Sequence, residues 1–115
     1  MKFGHDEKRR DPVCWNKDAH PQCLRVELAD GSFYVFQYSR LQWARYEPGT
    51  AQDELHLLLD THEVRITGKN LRDLDMTFQK LAVDWVRELA ARYGATANED
   101  TGYIFNIKIS QIQGL

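Results

Sequence analysis

The dipeptide Asp30-Gly31 restricts the fold of this chain more than any other short segment. Residues 24–28 before it alternate between apolar and charged side chains, and residues 33–38 after it are mostly aromatic or β-branched. Both central residues of a type I′ turn need positive φ, which Asp and Gly tolerate. The pattern therefore predicts a β-hairpin with a two-residue loop, which sets Leu28 opposite Phe33.

Three further stretches carry the pattern of strands. Residues 40–46 and 103–110 alternate between two faces, and residues 55–66 predict a second hairpin. The turn of this hairpin is centred on either Asp60-Thr61 or Thr61-His62. Both choices place the leucines of the first arm opposite the apolar residues of the second, so the register stays open.

A long amphipathic helix is predicted over residues 71–93. Asn70 is a good N-cap residue for its start, and Gly94 is a suitable stop. The apolar stripe consists of Leu71, Leu74, Phe78, Leu81, Ala82, Trp85, Val86, Leu89 and Tyr93. Thr77 and Val83 lower the helix propensity, so a helix broken near Val83 into two segments is the alternative.

These elements predict an α+β fold. It consists of a curved antiparallel sheet of five or six strands, one long helix packed against it, and a final strand after the helix. A chain of 115 residues is long enough for one domain, which we place at residues 13–115. Residues 1–12 are mostly charged and are predicted to form a flexible N-terminal tail.

The composition limits the classes of function. The chain has 15 basic and 17 acidic residues, a net charge of -2, so it lacks the positive charge of a general nucleic-acid binder. The first residues hold no apolar segment of the kind that secretory signals contain, and no stretch is long enough to span a membrane. With only two cysteines, both expected to be reduced thiols, the sequence predicts a cytoplasmic location.

The segment Gly68-Lys69-Asn70 joins a predicted strand to the predicted helix. Backbone N–H groups at a helix start attract anions, and the charge of Lys69 would add to this attraction. A nucleotide-binding loop, however, needs a longer glycine-rich turn than this join offers. A hinge between strand and helix is therefore the favoured interpretation, and a weak anion site is the alternative.

Two clusters contain residue types that bind metals or transfer protons. Cys14, His20 and Cys23 offer thiolate and imidazole, which suit zinc, but three residues at this spacing match no zinc motif. The residues near the second hairpin turn, His56 and His62 with Asp60 and Thr61, are interpreted as polar surface residues because strand geometry separates the two histidines. We predict no metal, no cofactor and no catalytic residues, and lean against an enzyme.

Aromatic residues on the predicted sheet suggest a binding surface. The candidates are Tyr34, Phe36, Tyr38, Trp43, Arg45 and Tyr46. Tyrosine, tryptophan and arginine are enriched at the hot spots of protein interfaces, and aromatic sheet faces can also stack the bases of single-stranded nucleic acids. The third interpretation is that these side chains belong to a core covered on both faces.

The leading functional hypothesis is a non-enzymatic module that binds a protein partner or a second copy of itself. The first alternative is a small-ligand binder or enzyme with a pocket between helix and sheet, near His56 and Arg65. The second alternative is binding of single-stranded nucleic acid, which the negative net charge disfavours.

Overall fold

The computed structural model describes residues 13–89 and 102–112. In this part of the chain the strands are β1 (Trp15–Lys17), β2 (Cys23–Glu27), β3 (Phe33–Gln37), β4 (Leu41–Glu47), β5 (Asp53–Leu59), β6 (His62–Lys69), β7 (Val83–Arg87) and β8 (Tyr103–Gln111). One α-helix, α1 (Arg72–Gln79), lies between β6 and β7, and a single 3₁₀ turn, Tyr38–Arg40, follows β3. The predicted tail at residues 1–12 lies outside the described residues.

The strands form two four-stranded sheets. The first sheet has the order β1-β7-β2-β3 and the second has the order β4-β5-β6-β8. Neighbouring strands are antiparallel except for β2 and β7, which are parallel. The α+β class is confirmed, with the strands divided between two sheets instead of one.

The two sheets and α1 share one hydrophobic core. The first sheet contributes Leu24, Val26, Phe36, Val83 and Val86; the second contributes Leu55, Leu57, Leu59, Val64, Ile66, Tyr103, Ile104 and Ile107; and α1 with the residue before it contributes Leu71, Leu74 and Phe78. Alternate residues of β5 are buried, as expected for a strand with one face on the core. Each sheet therefore has an inner face on this core and an outer face away from it.

The first hairpin has a longer loop than predicted. The Leu28 N–H donates to the Ser32 carbonyl oxygen at 2.8 Å, so residues 29–31 form a three-residue loop, and Gly31 takes the positive φ of 92° that such loops require. The predicted register was wrong by one residue, because Phe33 lies opposite Glu27 and not Leu28. A slip of one residue exchanges the two faces of a strand.

The second hairpin turns at Asp60-Thr61. Leu57 lies opposite Val64, and Leu55 lies opposite Ile66. The pairing of leucines with the apolar residues of β6 is confirmed, and the structure selects one of the two turns that the sequence left open.

Helix α1 is much shorter than the predicted helix over residues 71–93. It ends at Gln79, Leu81 has a φ of 52°, and the chain continues as β7, so the break predicted near Val83 is present but is followed by a strand. The N-cap is Leu71 instead of Asn70, whose φ is 58°. Within residues 13–89 and 102–112, no helix has the length and apolar character needed to cross a membrane.

Candidate protein-binding surface

The three aromatic candidates of the first hairpin lie on the inner face of the first sheet. Phe36 is buried in the core, and the Tyr34 ring stacks on it at a centroid distance of 5.7 Å. The His62 ring contacts both, at 5.6 Å from Tyr34 and 5.7 Å from Phe36. Core packing therefore accounts for Phe36, while Tyr34 stays partly exposed at the edge of the core.

Tyr38 links the end of β3 to the start of β7. Its hydroxyl donates to the carbonyl oxygen of Val83 at 2.6 Å. Burial raises the pKa of Tyr38 well above its ordinary value of 10.0, and the nearby Asp84 carboxylate adds to this effect. The fold thus favours the neutral phenol.

This pKa shift predicts a loss of stability in alkali. Folding raises the pKa of the Tyr38 phenol above its ordinary value of 10.0, which also applies to the unfolded chain. The neutral phenol therefore stabilises the fold fully below pH 10, and this stabilisation is lost as the pH rises further. We expect Tyr38→Phe to lower the free energy of unfolding by about 1 kcal/mol at neutral pH, because one hydrogen bond is lost. The variant should then lose less stability than the wild type above pH 10, as measured by urea denaturation across a pH series. An equal alkaline loss in both proteins would contradict this assignment.

The other three aromatic-surface candidates belong to β4. Trp43 and Arg45 lie on the outer face of the second sheet, where Trp43 is 45% exposed and Arg45 pairs with Glu47 at 3.0 Å. Tyr46 lies on the inner face, opposite Leu55. The six predicted residues therefore do not form one surface.

A different surface is formed on the outer face of the first sheet. Its six residues stand in two rows across β3, β2 and β7: Phe33, Glu27 and Arg87 in one row, and Val35, Arg25 and Trp85 in the other. Phe33 is 55% exposed and Val35 is 56% exposed, although both are large apolar residues. We call these six residues the outer patch.

Stacking and ion pairs hold the polar half of the outer patch together. The Arg87 guanidinium lies 4.5 Å from the centroid of the Trp85 ring, and the Arg25 guanidinium lies 6.0 Å from it. The Glu27 carboxylate pairs with both: its Oε1 accepts a hydrogen bond from Nε of Arg87 at 2.9 Å, and its Oε2 lies 3.2 Å from Nε of Arg25, which donates no hydrogen bond within the described residues. Cation–π contacts of this kind restrict the side chains before any partner binds.

The outer patch combines exposed apolar area with a positive charge. Arg25 also lies over the Phe33 ring at 5.8 Å, which joins the apolar and charged halves. Two guanidinium groups face one carboxylate, so the patch has a net charge of about +1 on a chain whose net charge is negative. The outer patch can therefore bind a group that presents an apolar side chain together with a carboxylate.

The sequence interpretation missed the outer patch for two reasons. The two-residue loop turned Phe33 and Val35 toward the core, and the long helix removed Trp85 and Arg87 from the sheet. A three-residue loop with Gly31 in the left-handed position was the available signal for the first error.

The weak anion candidate Gly68-Lys69-Asn70 lies beside a carboxylate of the protein itself. Asp53 is only 8% exposed, and its Oδ2 accepts the N–H of Leu71, the N-cap of α1, at 2.9 Å. The same oxygen accepts the Tyr46 hydroxyl at 3.0 Å, and Oδ1 accepts the N–H of Gly49 at 3.2 Å. Partial burial and the bond to Asp53 raise the pKa of Tyr46. The start of α1 therefore already has a negative partner.

The weak metal candidates Cys14, His20 and Cys23 are not brought together. Cys14 is buried just before β1, where its Sγ accepts the N–H of Ile104 at 3.1 Å, and burial raises the pKa of its thiol. Cys23 lies on β2, and β7 separates β2 from β1. Both cysteines are free thiols, and His20 is exposed.

The two histidines near the second hairpin face opposite sides of the second sheet. His62 contacts the rings of Tyr34 and Phe36, whereas His56 lies on the outer face opposite Arg65. The His56 Nε2 lies 3.1 Å from Oε1 of Glu54 and 3.8 Å from Oε1 of Glu47.

The position of His56 on the outer face, beside Glu54 and Glu47, has two consequences. Glu47 already pairs with Arg45, so the Glu47, Glu54 and His56 group is part of a mixed charge network. The position near His56 and Arg65, predicted to lie in a pocket between helix and sheet, belongs to the outer face of the second sheet.

Comparisons of this chain with protein-family models, with curated proteins and with solved structures found no match. No relative therefore indicates a reaction or a partner for the outer patch. Its exposure, its charge and its geometry are the observations from which a function can be inferred.

Proposed function

We propose that this protein is a non-enzymatic protein-binding module and that the outer patch is its contact surface. The observation that supports this proposal is the exposure of Phe33 and Val35 beside the Trp85 ring and its two guanidinium groups. Exposed aromatic and arginine side chains grouped in this way have the chemistry of interface hot spots. The apolar half of the patch is exposed to water. Its burial by a partner would therefore be favoured by the hydrophobic effect.

The charge of the outer patch favours an acidic partner segment. A carboxylate of the partner can bind the N–H groups of Arg25 and Arg87 that Glu27 does not use, since each guanidinium has five donors. An apolar side chain next to that carboxylate can cover Phe33 and Val35. The proposed ligand is therefore a protein segment in which an acidic residue adjoins an aromatic or aliphatic one.

The test is a binding titration with a partner captured from a lysate of the source cells. We expect Trp85→Ala and Phe33→Ala each to weaken the affinity at least about tenfold, because each removes a large aromatic side chain from the contact. Trp43→Ala is the matched control, since Trp43 is also an exposed tryptophan on an outer sheet face but lies on the second sheet. Circular dichroism would establish that all three variants are folded.

The titration also separates this surface from the aromatic residues chosen from the sequence. Loss of binding in Trp43→Ala, with the affinity unchanged in Trp85→Ala and Phe33→Ala, would overturn the assignment to the outer patch. It would point instead to the outer face of the second sheet around Trp43 and Arg45.

A further inference from the structure

The strand β3 is an edge strand whose free side can be deduced from the hairpin hydrogen bonds. The Leu28 N–H donates to Ser32, and the Tyr38 N–H donates to the Gln22 carbonyl oxygen at 3.0 Å. Even-numbered residues of β3 therefore direct their backbone groups toward β2, because hydrogen-bonded pairs alternate along an antiparallel ladder. The N–H and C=O groups of Phe33, Val35 and Gln37 point to the free side. In the described part of the chain, no residue outside β3 and the 3₁₀ turn bonds to these groups, and the Gln37 carbonyl oxygen, at the N-cap of that turn, accepts its first hydrogen bond.

Among the described strands, the other three sheet edges carry features that oppose pairing with another strand. β1 has three residues and a bulge, and β4 has a bulge together with Arg45 and Glu47. β8 carries Lys108, and its Ile104 already bonds to Cys14 and to the Leu89 N–H. Charges, bulges and covering segments are the devices by which proteins block sheet edges. β3 has a regular register, no charged residue and no proline.

We propose that β3 pairs with β3 of a second copy of this chain, antiparallel and centred on Val35. In this register Val35 lies opposite its own copy, and Phe33 lies opposite Gln37, so the outward groups of both strands form about four hydrogen bonds that use acceptors outside the 3₁₀ turn. The inner-face residues then pair Tyr34 with Phe36, an aromatic combination that stabilises cross-strand contacts. No like charges face each other along the two strands.

The ends of the pairing are complementary in charge. The hairpin turn with Asp30 lies before β3, and the 3₁₀ turn with Arg40 lies after it. Antiparallel pairing brings the Asp30 turn of each copy toward the Arg40 turn of the other, where Arg40 also pairs with Asp60 of its own chain at 2.9 Å. An open groove borders the free edge, lined by Val35, Phe36, Gln37, Arg40, Asp60 and Thr61.

This pairing goes beyond the proposed function, because it uses the backbone edge of β3 and not the side chains of Trp85 and Arg87. The two first sheets would join into one continuous sheet, and the two outer patches would lie on the same face of it. A dimer would then present two contact surfaces to a partner, which raises the apparent affinity for a partner with repeated acidic segments.

Sedimentation velocity across the micromolar range tests the pairing. We expect the wild type to form a dimer and Val35→Lys and Val35→Glu to be monomers, since each places two like charges directly opposite. An equimolar mixture of the two variants should form a heterodimer, because the opposed charges are then opposite in sign. Met76→Lys, a charge placed on the exposed surface of α1, is the matched control and should remain a dimer.

Hydrogen exchange of the wild type gives a second readout that needs no variant. The amides of Val35 and Gln37 should become protected as the concentration rises. A wild type that stays monomeric, a dimer that persists in Val35→Lys, or a mixture that stays monomeric would overturn the pairing. Trp85→Ala distinguishes the two proposals, because it should weaken partner binding and leave the dimer unchanged.

Discussion

Replacement of Gly68 by alanine is expected to lower the free energy of unfolding by about 3 kcal/mol. Gly68 lies on β6 at a bulge, opposite Ile104 of β8. A Cβ atom at this position would overlap the Tyr103 carbonyl oxygen and lie 3.0 Å from the Ile104 Cα. Both atoms belong to the backbone of β8, so neither can rotate away, and the strand would have to move. Urea denaturation monitored by tryptophan fluorescence would measure the loss.

Gly31→Ala is the matched control for this substitution. A Cβ atom on Gly31 would meet no atom within 4 Å, but its φ of 92° is unfavourable for alanine. We expect a loss of about 1 kcal/mol, caused by backbone strain alone. If Gly68→Ala cost no more than Gly31→Ala, the close approach of β8 to β6 at the bulge would be refuted.

The elements that the sequence predicted well are those whose signals are local. The second hairpin has strict alternation on β5, and the pairing of Leu57 with Val64 follows from any short turn. The strand β8 likewise alternates over its whole length, and its predicted bounds differ from the observed ones by a single residue. Alternation determines which residues of a strand face the core. When the turn is tight, this also fixes the register in which the two arms of the hairpin pair.

The strand β7 could not be read as a strand from its own residues. Val83 and Val86 are buried and Trp85 lies outside the core, and a helical wheel accommodates these positions as well as a sheet does. What makes this segment a strand is its pairing with β1 on one side and β2 on the other. Those partners are 60 to 71 residues away in sequence, and tertiary pairing overrides the local helical pattern.

The outer patch could not be predicted because it depends on two tertiary features at once, the pairing of β2 with β7 and the three-residue loop of the first hairpin. Arg25 and Glu27 were correctly placed on a strand, but their neighbours depend on the β2–β7 pairing and on the three-residue loop. The aromatic residue types suggested a binding surface at Tyr34 and Phe36, which lie on the other face of the first hairpin. Only the observed register shows that Phe33 and Val35 are the exposed residues, and that Phe36 is not.

Asp53→Ala is expected to destabilise the protein by about 3 kcal/mol, because it removes a buried acceptor from three donors. The Asp53 carboxylate joins the loop before β5, the phenol of Tyr46 and the first turn of α1 through bonds of 2.9 to 3.2 Å. Without it, the N–H groups of Gly49 and Leu71 lose their partner. Nothing local in the sequence distinguishes Asp53 from an exposed aspartate, so the residue was missed. Chemical denaturation would measure the change in midpoint and slope.

Asp60→Ala is the control, since Asp60 makes one ion pair with Arg40 at 2.9 Å at a more exposed site. Its loss should cost less than about 1 kcal/mol. Tyr46→Phe alone should cost about 1 kcal/mol, and the double variant with Asp53→Ala should lose less than the sum, because both changes break the same hydrogen bond. Strict additivity would mean that Tyr46 and Asp53 do not share a hydrogen bond, and equal losses in Asp53→Ala and Asp60→Ala would mean that Asp53 does not hold the start of α1.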